Sequence, residues 1–87
     1  MTESHVFDTY AKTSKGRIMH FDVVLDEKNP EKARQFAQEW LARIGHHDAT
    51  VSQENCMFCH SLVVPPPIRE QINQQGYAIY KLEGCPK

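Results

Sequence analysis

Cys56-Met57-Phe58-Cys59-His60 places two thiols three positions apart with an imidazole directly behind them. In a tight two-residue turn, such a pair can occupy adjacent corners around a tetrahedral ion, each sulfur about 2.3 Å from the metal. Cys85 is the third candidate ligand, with His60 or alternatively His5 as the fourth, giving a Cys₃His zinc site. The same spacing also serves thiol–disulfide exchange, which needs a thiolate activated by a helix N-terminus. Here Leu62 to Pro66 separate Cys59 from the next helix. Covalent haem attachment uses C-x-x-C-H too, but it requires export. Three reduced, inert cysteines are the plain alternative.

A second constellation follows from pairing. Residues 5 to 25 carry apolar side chains on alternate positions, and Ser14-Lys15-Gly16 supplies a three-residue turn, so they read as a β-hairpin. In that register Phe7 faces Val23, Thr9 faces Phe21 and Ala11 faces Met19, gathering the larger apolar residues on one face. On the other face Asp8 lies opposite Asp22 and Tyr10 opposite His20. Carboxylates directly opposed repel unless a proton or cation intervenes. The functional reading is acid/base chemistry or a hard-metal site, with His20 carrying the proton and Asp8 and Asp22 orienting or ligating. The alternative is a solvated sheet face on which His20 screens the aspartates.

The elements that position these groups are readable from their punctuation. Asn29 as N-cap, Pro30 in the first turn and Gly45 beyond the end bracket a helix, whose Ala33, Phe36, Ala37, Trp40, Leu41 and Ile44 form a buried stripe against the hairpin. Ala49 to Gln53 reads as a short strand, Pro67 to Gln75 as a second helix closed by Gly76, and Tyr77 to Glu83 as a last strand. The expected fold is α+β in the order ββαβαβ, a four-stranded mixed sheet with both helices on one face and residues 1–87 as a single domain. Crossover helices usually join parallel strands, so strands two, three and four are expected to run the same way. Cys56 and Cys85 would then emerge from one end of the sheet, together with His5.

Composition narrows the function classes. The chain has 87 residues, 40% of them hydrophobic and 24% charged, which suits a folded domain with a small core. Ten Lys and Arg against eleven Asp and Glu leave a formal charge of −1 without long blocks of either sign, which argues against nucleic-acid or lipid-surface partners. MTESHVFDTY has neither the basic start nor the apolar stretch of a secretory signal, and no apolar run is long enough to span a bilayer, so a cytoplasmic protein is expected. An exposed sheet edge allows a monomer or a weak homodimer. His46-His47 reads as an exposed post-helix pair, and Pro65-Pro66-Pro67 as a stiff connector.

His5-Val6-Phe7-Asp8-Thr9-Tyr10, Met19-His20-Phe21-Asp22-Val23, Cys56 to Ser61 and Gly84-Cys85 together resemble a small bacterial family known as domain of unknown function 2024. The resemblance runs over nearly the whole chain and implies a compact α/β domain, but it brings no activity with it. Three functions are therefore carried forward: a structural or regulatory zinc clip at Cys56, Cys59 and Cys85; a small enzyme using either Cys56/Cys59 or Asp8, His20 and Asp22; and a metal-free interaction module.

Overall fold

The computed structural model describes residues 3–83. The elements run β1 (Ser4–Lys12), β2 (Ile18–Leu25), α1 (Pro30–Arg43), a 3-10 turn at Gln53–Asn55, β3 (Cys56–Leu62), α2 (Pro66–Gln75) and β4 (Ala78–Glu83). The α+β class and the ββαβαβ order match the expectation. The hairpin register also matches it pair for pair, from Phe7↔Val23 to Tyr10↔His20. Its turn closes as expected: Thr13 and Arg17 pair across residues 14–16, and Gly16 takes φ +83°.

Three expectations about the sheet are corrected. The strand order is β3-β1-β2-β4 and every neighbouring pair is antiparallel, so the sheet is not mixed. Each helical connection carries the chain to an outer edge beside a hairpin strand, and the parallel crossover rule does not apply. Secondly, the third strand is the cysteine segment itself. Residues 49–51 form only an isolated bridge, Thr50 to Lys12. Further backbone groups are met from α1 and the loop: Gln38 donates to the Ala49 carbonyl at 2.7 Å and accepts from the Val51 N–H at 3.3 Å, and the Ala49 N–H donates to the His46 carbonyl at 3.1 Å. Satisfied in that way, the segment has no need of a ladder.

Thirdly, the helices take opposite faces. Asn29 caps α1, accepting from the Lys32 N–H, and α1 lays Ala33, Ala37, Trp40 and Leu41 on the face made by Phe7, Met19, Phe21 and Val23. Trp40 meets Phe21 with ring centroids 4.8 Å apart, and Phe36, packed against the same core, stacks on Tyr77 just beyond α2. The shorter α2 turns Ile68 and Ile72 onto Val6, Val24 and Ala78, which lie on the other face. Its ten residues pack on that end of the face, and among the described residues Tyr10, Met57 and Tyr80 further along it stay exposed. No helix among the described residues is long and apolar enough to cross a membrane.

Candidate functional site

On the open face, pairing places the side chains in rows. His60, Val6, Val24 and Ala78 are successive partners across the four strands, followed by Met57, Asp8, Asp22 and Tyr80, and then by Tyr10 and His20. Val6, Val24 and Ala78 of the first row pack under Ile68 and Ile72 of α2. Among the described residues, Asp8, His20 and Asp22 form a group able to hold a metal ion, each offering one ligand atom within 4.8 Å of the others. All three are half-buried. His20 Nε2 contacts Asp8 Oδ1 directly, and its ring stacks on Tyr10 with centroids 4.2 Å apart and planes 6° from parallel.

Asp22 carries the cost of this arrangement. Burial, and after it the facing Asp8 carboxylate, push its carboxyl above the usual aspartate value; His20 and His60 pull it back, and a hydrogen bond shared with Asp8 pushes it up again. A positive charge placed between the facing carboxylates would relieve Asp22.

Beside this cluster is a cavity of about 220 Å³, walled by Val6, Val24, Leu62, Val64, Pro65 and Ile68. Asp22, His60 and Tyr80 complete its lining, so the acidic cluster meets an apolar groove at Asp22. A wider depression of about 660 Å³ lies by Asp26 and Arg69. Two of its three charged residues hold each other: Arg69 binds both Asp26 oxygens, at 3.0 and 2.8 Å, and donates to Ser4 at 2.7 Å, while Glu70 accepts from Gln74. A small apolar pocket with a few convergent polar groups and a perturbed carboxyl is the stronger candidate.

The cysteines are placed differently from the sequence expectation. Cys56 opens β3 instead of following a strand, and its side chain is buried in the α1-side core. There its sulfur accepts from the Thr9 hydroxyl at 3.5 Å, and burial raises the thiol's pKa. Cys59 is exposed at the bulge between the Val6↔His60 and Phe7↔Phe58 pairs, with His60 Nδ1 3.2 Å from its sulfur. The C-x-x-C segment is therefore extended strand and not a turn. Cys85 lies outside the described residues. The parallel strands expected to gather these groups at one rim are not what the described residues form: β3 and β4 are opposite edges of an antiparallel sheet. His5 also faces elsewhere, its Nδ1 2.7 Å from the Ser61 hydroxyl.

Sequence reasoning therefore located the Asp8–His20–Asp22 cluster but missed the groove next to it. His60, assigned there to the cysteines, lines the groove with Asp22. The available signal was Val64-Pro65 followed by Ile68, an apolar stretch stiffened by proline, and these three residues line the groove.

An antiparallel four-stranded sheet with one helix on each face, and an acidic cluster on the half-open face, defines the class. Residues 2–82 match the model of a domain of unknown function, DUF2024, and the chain belongs to that family. It is similar to protein NE1680 from Nitrosomonas europaea, a structural-genomics target solved by NMR. The two are 50% identical, with 97% of this chain and 99% of that one covered, and a TM-score of 0.86. No curated protein matches the chain.

Proposed function

We propose that the protein is a small-ligand-binding domain whose half-open sheet face holds a positive charge between Asp8 and Asp22. The observation that carries this reading is the pair of facing carboxylates, one with a raised pKa, at the mouth of an apolar groove. A cation removes the repulsion that otherwise falls on the fold, and its binding free energy includes that relief. A divalent ion held by Asp8, His20 and Asp22 satisfies the reading, as does an organic cation. Zinc at Cys56 and Cys59 would need both sulfurs about 2.3 Å from one point, whereas one thiol points into the core and the other is in solvent.

The contact between His20 Nε2 and Asp8 favours a second reading, proton transfer to or from the bound ligand by an imidazole that a carboxylate orients. Calorimetric titration of untagged protein with Zn²⁺, Mn²⁺ and butylammonium tests the first. Saturable binding of any of these that is lost in Asp22→Asn supports it. No saturable heat with all three overturns it.

A further inference from the structure

The geometry points to a primary organic ammonium ion with a short apolar body as the ligand, its head beside Asp22 and its body in the groove beneath α2. This rests on the reading above and names the cation. A bare metal ion would use the carboxylates and leave the groove idle, yet cluster and groove share Asp22 as a common wall. Among the groove's lining residues the ionisable side chains near its head end are Asp22, His60 and Tyr80. The facing Asp8 and Asp22 carboxylates match a positive head group and disfavour a carboxylate or phosphate one.

The remaining chemistry fits the same head group. Tyr80 is 57% exposed at the groove's edge, in the same row as Asp22, and offers an aromatic face of the kind ammonium groups favour. The row continues to Met57, 64% exposed on the far side of Asp8, so the acidic pair is flanked by apolar surface that no other element among the described residues covers. A volume of about 220 Å³ lies below the usual range of pockets for drug-sized ligands, so the body is a short chain or a single ring. The raised pKa of Asp22 agrees with a carboxyl desolvated by burial and faced by a second carboxylate.

A homologous series tests the inference. Ethyl-, propyl-, butyl- and pentylammonium are titrated into the whole protein and followed by amide NMR, with 1-butanol and butyrate as controls. Each added methylene that enters the groove should tighten binding about four-fold, the equivalent of roughly 0.8 kcal/mol per buried CH₂. The largest shifts are expected at Val6, Val24 and Leu62. Asp22→Asn should weaken butylammonium at least ten-fold, and Ile68→Phe should erase the chain-length dependence while leaving ethylammonium bound. Affinity independent of chain length, butanol or butyrate binding as tightly as butylammonium, or full retention in Asp22→Asn would overturn the inference. Zn²⁺ or Mn²⁺ binding lost in Asp22→Asn, with no amine binding, overturns this inference and leaves the cation site standing. Failure of metals and amines alike overturns both.

Discussion

Replacing Asp22 by Asn should make the free protein more stable while removing its ligand. Asn keeps the shape of the side chain, so packing around Tyr80 and Val24 is preserved. What disappears is the charge facing Asp8 across the β1–β2 ladder. Like charges directly opposite on paired strands cost about 0.2–1 kcal/mol, and Asp22 is only half-buried, so screening favours a gain of about 0.5 kcal/mol at low salt. For a domain of this size that corresponds to about 2–4 °C in Tm. The pH dependence is fixed in sign. Because the folded pKa of Asp22 is raised, its favourable contribution is fully present below the ordinary value of 3.8 and is lost as pH rises through the folded value. The gain should therefore be seen at pH 7, fade near pH 3 and shrink in salt. Circular-dichroism melts at both pH values measure it. An Asp22→Asn variant that melts below the wild type at pH 7, with the deficit unchanged at pH 3, would refute the argument that these carboxylates repel.

Other predictions concern groups away from the cluster. The Tyr77 hydroxyl is buried with no hydrogen-bond partner among the described residues, and burial raises its pKa. Tyr77→Phe should stabilise the protein by about 1 kcal/mol in denaturant melts, and a loss of stability would mean that the hydroxyl is satisfied. Arg69 holds Asp26 below the usual carboxylate value, so that contribution is present above pH 3.8 and is lost as pH falls through the folded value. Arg69→Ala should accordingly lower Tm at pH 7, with the gap closing in acid; a gap that persists there would point to packing instead. Iodoacetamide at pH 7.5 should modify Cys59 in the native protein long before Cys56, whose thiol is buried and shifted upward. Peptide mapping that finds the two labelled at similar rates would contradict the placement of Cys56 in the core.

The hairpin and the acidic cluster were legible because they depend on local rules. Ser14-Lys15-Gly16 sets the register, and the register alone puts Asp8 opposite Asp22 and Tyr10 opposite His20. The first helix was legible through Asn29, Pro30 and the spacing from Ala33 to Ile44 for the same reason. What lay beyond reach was non-local. A bulge at Cys59 breaks the two-residue alternation of CMFCHSL, so the segment reads as a loop with a metal motif although it pairs as an edge strand. Conversely, Ala49-Thr50-Val51 has the look of a strand, but its backbone is met by Gln38 from α1. The choice of face for α2 depends on which edge the chain returns to, which no short window of sequence records. With α2 misplaced, its groove could not be foreseen.

The most direct test of the cation site is carboxyl-carbon NMR titration of Asp8 and Asp22 in the free protein and in the presence of saturating butylammonium. The free protein should show Asp22 titrating above the ordinary aspartate range, and the bound protein should show that midpoint moved downward as the positive head takes up the repulsion. Ordinary midpoints for both residues, unmoved by the amine, would contradict the account.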